Sequence, residues 1–289
     1  RRPAGSRDAF VAVGDGESSG NSEPEGDNEK LLYGRVEDRR DGSYVATYSA
    51  STSGRYELSV HCLKSCKQIK GSPWTILVAP GPTYAPASFM RGRDLGRAIA
   101  GELCAFVVHA RDARGNAQLF GGESWKAQLV GPYPHKEPLV VPLDDRGDGS
   151  YRGRLTMAMA GEYSLSVTLR GSHARGSPLR ISTAASGVHA QRCIAEGTGL
   201  RAGFRGQVAA FGIVARDAFG NRLSRGAHGY AVRVRPPLSA TRAPDVYVAD
   251  RDDGTCLCEW LPVVRGRHVI SITLGGVPIE GSDYVCHVT

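Results

Sequence analysis

Cysteine is the residue type in this sequence with the most versatile chemistry, and the chain has seven cysteines. Cys62 and Cys66 flank a predicted hairpin tip, and Cys256 and Cys286 lie in predicted late strands, so these are two candidate disulfide pairs. The odd total leaves at least one thiol if all bonds are internal. The spacing typical of a zinc site is absent from the sequence. The cysteines are either reduced thiols or disulfides, and the redox compartment of the protein decides between these alternatives.

No catalytic signature stands out in the sequence. It has no phosphate-binding loop and no paired-histidine metal motif. Residues 250–254 are rich in aspartate, but they lack the acceptor pattern and the distal glutamate of a calcium loop. We therefore expect no enzyme activity and no cofactor or metal ion.

Charge and hydropathy restrict the class of partner. The net charge is +7, but the arginines are scattered singly between acidic residues, whereas nucleic-acid binders concentrate positive charge in a patch. No apolar run approaches the roughly 18–20 residues of a membrane helix. We expect neither nucleic-acid binding nor membrane insertion by this segment.

An internal repeat organises the whole sequence. Four motifs recur in one order at a spacing of 105 to 107 residues. They are Asp-Gly-Ser-Tyr at 41–44, 148–151 and, as Asp-Gly-Thr-Cys, 253–256; Gly-x-Tyr at 54–56, 161–163 and, as Gly-x-His, 266–268; Gly-Ser-Pro at 71–73, 176–178 and, as Gly-Ser-Asp, 281–283; and Arg-Asp-Ala-x-Gly-Asn at 111–116 and 216–221.

These motifs have the properties of turns and strand starts. Glycine after aspartate supplies the positive φ of a tight turn, and the residues after it alternate with the period of two of a half-buried strand. The Arg-Asp-Ala-x-Gly-Asn motif is predicted to end a strand in a turn. Short strands with turn signals over about 100 residues per unit are typical of immunoglobulin-like sandwiches.

The order of these motifs resembles that of the filamin-type repeat, an immunoglobulin-like β-sandwich. The resemblance predicts an all-β chain of tandem sandwiches: an incomplete first repeat in residues 1–80, with an acidic loop at 14–30, then complete repeats in 83–184 and 188–289. The first repeat reaches its Asp-Gly-Ser-Tyr motif after too few residues for its first two strands. We therefore expect it to be truncated and the chain to be a segment of a longer protein.

The resemblance also implies a binding mode, since filamin-type repeats bind extended peptides beside strands C and D by β-augmentation. It places strand C at 125–130 and 230–235, and strand D at 139–143 and 246–249. The candidate protein-binding residues are Lys126, Gln128, Val130, Leu139, Val141, Val232, Val234, Val246 and Val248. The alternative for each repeat is that these strands only complete the sandwich.

Two functions follow as hypotheses. The first is a non-enzymatic scaffold in the cytoplasm, in the cytoskeleton or a cilium, that holds extended peptides or neighbouring subunits of an assembly. The second is a segment of an extracellular cell-adhesion ectodomain, similar to gamete-surface proteins. The cysteine content favours the second hypothesis, while the lack of Asn-x-Ser/Thr glycosylation acceptors disfavours it.

Overall fold

The structure, a computed structural model, describes residues 9–16, 32–62, 65, 67–93, 95–132, 137–226 and 229–289. In these residues it consists of 25 β-strands and three 3₁₀ helices of three residues each. The predicted all-β class is confirmed. None of the helices in this part of the chain has the length and apolar character of a membrane span.

The first unit is a sheet in the order β3-β2-β1-β4-β5, with β6 also paired to β4. Its strands are β1 (Ala9–Gly16), β2 (Leu32–Asp38), β3 (Tyr44–Thr47), β4 (Gly54–Cys62), β5 (Lys67–Gln68) and β6 (Trp74–Val78). The predicted acidic loop therefore begins too early, because residues 14–16 continue β1 and pair with β4. The rest of that predicted loop, 17–30, lies outside the described residues. Tyr56 is the buried centre of this unit.

The second unit is a sandwich of two sheets, ordered β11-β10-β14-β16-β8 and β12-β13-β9-β7. A short strand, β15, is also paired to β14. The strands are β7 (Phe89–Arg91), β8 (Arg97–Ile99), β9 (Leu103–His109), β10 (Trp125–Val130), β11 (Leu139–Val141), β12 (Leu143–Asp145), β13 (Ser150–Thr156), β14 (Gly161–Leu169), β15 (Ser172–His173) and β16 (Leu179–Ala184). A 3₁₀ helix, Ala85–Ala87, precedes β7.

The third unit repeats this plan in sheets ordered β17-β19-β22-β21 and β18-β25-β23-β20, with β24 paired to β23. The strands are β17 (Ile194–Glu196), β18 (Ala202–Gly203), β19 (Ala209–Val214), β20 (Tyr230–Arg235), β21 (Val246–Asp250), β22 (Thr255–Trp260), β23 (Gly266–Leu274), β24 (Val277–Pro278) and β25 (Tyr284–Val288). The 3₁₀ helices Ala190–Arg192 and Thr198–Leu200 lie before and after β17.

Strand alternation builds the core of each sandwich. In β14, Tyr163, Leu165 and Val167 are buried and face the interior, whereas the residues between them are partly exposed. Phe106 of the opposite sheet belongs to the same apolar cluster. Each such buried side chain contributes about 1.5–3 kcal/mol, so the sequence pattern accounts for the packing of two sheets face to face.

The Arg-Asp-Ala-x-Gly-Asn turns also join consecutive units. Asp112 accepts a hydrogen bond from the backbone N–H of Gly81, in the segment before the second sandwich, at 2.9 Å. Asp217 accepts one from the N–H of Ser186 at 3.0 Å, in the same way, before the third. At the second junction Phe219 packs so closely on Gly101 that a Cβ there would lie 2.3 Å from its ring. The motif is thus a turn, as predicted, and also a junction element.

Candidate functional site

The clearest candidate binding site in the described residues is a groove between two strand edges of the third sandwich. Strand β20 ends its sheet, and β21 ends the facing sheet. The register pairs β20 with β23 on one side only, Val232 opposite Ile272 and Val234 opposite Ile270. An edge strand has unpaired backbone groups along its outer side, and these can pair with an added strand.

The side chains at this edge divide into two sets. Tyr230, Val232 and Val234 point toward the core and are buried or half-buried, whereas Ala231 and Arg233 are exposed. Across the groove, Val246 and Val248 of β21 pack against the same core. An added strand along β20 would therefore meet an apolar groove floor on one face and arginines on the other.

Arginines and aspartates both lie around the groove. Arg235 pairs with Asp283 at 3.0 Å, and Arg242 pairs with Asp245 at 3.0 Å, both at exposed positions. Exposed ion pairs contribute about 0–1 kcal/mol and break easily. Arg233 forms no ion pair with another of the described residues, so its guanidinium is available to an acidic residue of a partner.

The equivalent edge of the second sandwich is covered along residues 127–129 of β10. Strand β11 pairs with β10, Gln128 opposite Val140 and Leu129 opposite Leu139. The predicted single strand D at 139–143 is instead split: β11 joins the sheet of β10, and β12 joins the opposite sheet. Pro142 lies at the break, where its missing N–H cannot take part in a ladder. In this repeat an added strand beside β10 would have to displace β11 along residues 127–129.

A difference in sequence explains the difference between the two edges. At the repeat offset, Pro244 and Asp245 of the third unit stand where Leu139 and Val140 pair with β10. Proline cannot donate to a ladder and aspartate is a poor strand former. Tyr247 replaces Pro142, so β21 pairs without a break with β22. The chain therefore stays on the second sheet and leaves β20 uncovered.

The predicted binding residues fall into two groups. Val232, Val234, Val246 and Val248 lie together along the open groove. Lys126, Gln128 and Val130 lie on the covered strand β10, Leu139 is exposed on the covering strand, and Val141 is buried. The two prolines that separate the groups, Pro142 in the second repeat and Pro244 in the third, are visible in the sequence. Their effect on strand pairing can be interpreted only when the strand that each segment pairs with is known.

The candidate disulfide between Cys256 and Cys286 is absent from the structure, because both residues are buried free thiols. They belong to the same core cluster, where Cys258 and Cys193 are also buried. A buried cysteine acts as a small apolar side chain, which explains their number without a cross-link. The other candidate pair includes Cys66, which lies outside the described residues. No group of three or more metal-ligating side chains occurs in the part of the chain that is described.

Comparison with known proteins agrees with this architecture. The chain is 27% identical to mouse Filamin-C over 271 residues, which is 92% of the chain and 9% of that protein. It is 24% identical to Drosophila melanogaster Filamin-A over 252 residues, 87% of the chain and 10% of that protein. The chain therefore spans about a tenth of the length of these relatives.

A solved structure shows the same fold. The Escherichia coli adhesin FdeC superposes with a TM-score of 0.53 at 18% identity, covering 88% of this chain and 80% of that one. At that identity the likeness concerns the fold alone. The family model for the Filamin/ABP280 repeat matches residues 82–180 and 187–285. These matches cover more than half of the sequence, so the chain belongs to the Filamin/ABP280 repeat family.

Proposed function

We propose that this chain is a non-enzymatic scaffold segment that binds an extended peptide along β20, in the groove between β20 and β21. The single observation that carries the proposal is the uncovered edge of β20, which contrasts with the covered edge of β10 in the same chain. A partner strand would add to the sheet by main-chain hydrogen bonds.

The groove also suggests which peptides bind. Apolar side chains at alternate positions of the partner would contact the valines that line the groove, because strand side chains alternate between faces. Arg233 is exposed on the outer face of β20 and would favour an acidic residue at an intervening position. Main-chain hydrogen bonds would give affinity, and the valines and Arg233 would give selectivity. The groove would therefore bind extended, partly acidic segments.

The test begins with a random 12-residue peptide library displayed on phage and selected against the whole chain. The strongest binder is synthesised, and its affinity is measured by calorimetry. In the double variant Pro244→Leu/Asp245→Val, the residues just before β21 should pair with β20, as β11 pairs with β10. Peptide binding should then weaken at least about tenfold, or about 1.4 kcal/mol. Slower amide exchange along β20 in the unliganded variant would verify that the edge is covered.

A matched control uses the covered edge. Lys126→Ala/Gln128→Ala changes two exposed residues of β10 and should leave affinity unchanged. If the control variant weakens binding and the third-repeat variant does not, the groove beside β20 is not the site. The same conclusion follows if the amides perturbed by the peptide lie away from β20 and β21.

We further propose an intracellular setting for the segment, on a cytoskeletal or ciliary scaffold. Four thiols in the third sandwich, Cys193, Cys256, Cys258 and Cys286, are buried, and thiols persist in reducing compartments. An extracellular adhesion segment is the competing function. A thiol count on protein from its native compartment tests the setting, and cross-linked cysteines there would favour the adhesion function.

A further inference from the structure

A cluster of arginines surrounds one aromatic ring on the second sandwich. The guanidinium carbons of Arg91, Arg111 and Arg175 lie 5.2, 5.2 and 5.4 Å from the centroid of the Phe89 ring. The imidazole of His109 stacks on the same ring, with centroids 5.1 Å apart. Cation–π contacts hold guanidinium groups in place at a small energetic gain, so three positive charges converge on one point.

Strand geometry produces this convergence. Phe89 and Arg91 are two residues apart on β7, and Phe89 pairs with His109 of β9. Residues two apart share a face, so Arg91 and the ring point outward while Ser88 and Val108 point into the core. Arg175 is bridged to Phe89 from the loop after β15, and its N–H donates to the carbonyl of Ser88 at 2.8 Å.

Carboxylates do not neutralise the cluster. Among the described residues, no ion pair involves Arg91, Arg111 or Arg175. Asp148 is near enough for its charge to affect His109, but its carboxylate accepts hydrogen bonds from the N–H and hydroxyl of Ser150. Burial, followed by the charges of Arg91 and Arg111, lowers the pKa of His109. Within the described chain the three arginines are thus not paired with a carboxylate, and the cluster carries net positive charge.

The third sandwich shows that the fold does not require this cluster. At the same positions it has Ile194 for Phe89, Glu196 for Arg91 and Glu280 for Arg175. The backbone is equivalent, because Ile194 pairs with Val214 as Phe89 pairs with His109. The N–H of Glu280 donates to the carbonyl of Cys193, as that of Arg175 does to Ser88. Arg216 keeps the place of Arg111, so the same backbone carries three arginines in the second repeat and two glutamates with one arginine in the third.

An apolar groove continues from the cluster. It has a volume of about 680 Å³ and is lined by the apolar side chains of Met90, Leu95, Val107 and Leu179 and by the basic side chains of Arg91, Arg93 and His109. A second recess of about 640 Å³ contains Phe89 together with Arg91, Arg111 and Arg175. The two recesses share Met90 and Arg91, so one ligand can occupy both.

We propose that this surface of the second sandwich binds a phosphorylated peptide, with the phosphate on the three arginines and a neighbouring aliphatic side chain in the groove. A phosphoserine or phosphothreonine carries a charge of about −1.5 to −2 and three acceptor oxygens, and arginine binds phosphate bidentately. The two rings at the site, Phe89 and His109, stack on each other, and the three guanidinium groups lie on the Phe89 ring. These contacts use the ring faces on which nucleic-acid bases would stack, and the charge is compact, so a peptide fits better than a polynucleotide.

The experiment measures binding of fluorescein-labelled peptides to the whole chain by anisotropy at fixed salt concentration. The probe is a nine-residue peptide with a central phosphoserine flanked by leucine and valine, and its unphosphorylated form is the comparison. We expect the phosphopeptide to bind at least about tenfold more tightly than the unphosphorylated peptide, because one strong charge-assisted hydrogen bond supplies the free energy for such a difference. In an NMR titration it should also raise the pKa of His109, because a bound anion opposes the effect of Arg91 and Arg111.

Exchange of residues between the repeats supplies matched variants. Arg91→Glu/Arg175→Glu introduces the side chains of the third repeat and should remove the preference for the phosphopeptide without lowering the melting temperature. Ile194→Phe/Glu196→Arg/Glu280→Arg should create a second site with a similar preference. The groove-closing variant Pro244→Leu/Asp245→Val should leave phosphopeptide binding intact, which separates this site from the proposed β20 groove.

Three results would overturn the proposal. Equal binding of the two peptides would show that phosphate is not recognised. An eight-nucleotide RNA that binds more tightly than the phosphopeptide would identify the surface as a nucleic-acid site. Inorganic phosphate that binds as tightly as the phosphopeptide would show that the groove contributes nothing to a peptide.

Discussion

Tyr163 and Asn221 hold the same three-residue loop from opposite sides of the junction between the second and third sandwiches. The hydroxyl of Tyr163 donates to the carbonyl of Met159 at 3.0 Å from within the second sandwich. From the third, the amide of Asn221 donates to the carbonyl of Ala158 at 2.8 Å, and its oxygen accepts from the N–H of Ala160 at 2.9 Å. The loop is therefore shaped by one repeat and bound by the next.

The junction before the second sandwich repeats this arrangement. The hydroxyl of Tyr56 donates to the carbonyl of Thr52 at 2.8 Å. The amide of Asn116 donates to Ser51 at 3.0 Å, and its oxygen accepts from the N–H of Ser53 at 3.0 Å. Two junctions with the same bonds give consecutive repeats the same fixed connection. In this arrangement the phosphopeptide surface and the β20 groove would be held at a constant separation.

Removal of the asparagine should loosen one junction. Asn221→Ala deletes two hydrogen bonds across the junction, each worth about 0.5–1.5 kcal/mol, while both sandwiches keep their cores. We expect the second and third sandwiches to reorient more freely, measured by residual dipolar couplings that no longer fit one alignment tensor. Arg222→Ala, a neighbouring exposed residue with a long ion pair to Asp253 at 3.7 Å, serves as the control. A single tensor that fits both variants would contradict the prediction.

Tyr163 and Asn221 should be energetically coupled, because both bind the 158–160 loop. Tyr163→Phe removes the hydroxyl and leaves the ring in the core, so it tests the hydrogen bond to Met159 alone. In a double-mutant cycle with Asn221→Ala, groups that share one element typically show coupling of about 0.5–3 kcal/mol. The free energies of unfolding come from urea denaturation. Additive effects would mean that the loop keeps its shape without Tyr163.

Some parts of this architecture could be predicted from the sequence and others could not. The strand periods, the turn glycines and the 105-residue offset are local or repeated signals, and they predicted the sandwiches. The hydrogen-bond partners of Asn116 across the junction, Ser53 and Ser51, lie 63 and 65 residues away in the sequence. The residue types of a turn do not indicate such distant partners. The sequence therefore predicts a turn at this motif but not the junction.

The binding surfaces show the same limit. The family resemblance placed a single strand D at 139–143, yet Pro142 divides it between two sheets. Scattered arginines indicated a diffuse charge. Three of them, Arg91, Arg111 and Arg175, nevertheless converge on Phe89, because strand pairing brings together residues that are distant in the chain. Charge counted along a sequence cannot reveal such a cluster.

Acid should weaken the first junction through Asp112. Burial raises the pKa of this carboxyl, but hydrogen bonds from Asn116, Gly81 and Arg114 outweigh burial and lower it from 3.8 to about 2. Because the folded pKa is the lower one, the stabilisation is complete above about pH 4 and is lost as the pH falls toward 2. The free energy of unfolding of the wild type should therefore fall more steeply over this interval than that of Asp112→Asn. Parallel curves would show that Asp112 is not linked to folding.

The buried thiols predict the opposite pH dependence and a definite labelling pattern. Burial raises the pKa of Cys258 from 9.0 to about 12 and also raises those of Cys256 and Cys286. Since the folded pKa is the higher one, this stabilisation is present below pH 9 and is lost as the pH rises toward 12. The thiolate is the reactive form, so these cysteines should alkylate slowly in the folded protein at pH 8.

Unfolding distinguishes a protected thiol from a cross-linked one. In guanidinium without reductant, mass spectrometry should find all seven cysteines alkylated, because the protection by the core is gone. Cys258→Ser provides a matched check, since the total should fall by one while Cys256 and Cys286 still react. If Cys256 and Cys286 react only after reduction, they form a disulfide in the isolated protein. The third sandwich would then belong to an oxidising compartment, and the adhesion function would replace the intracellular scaffold.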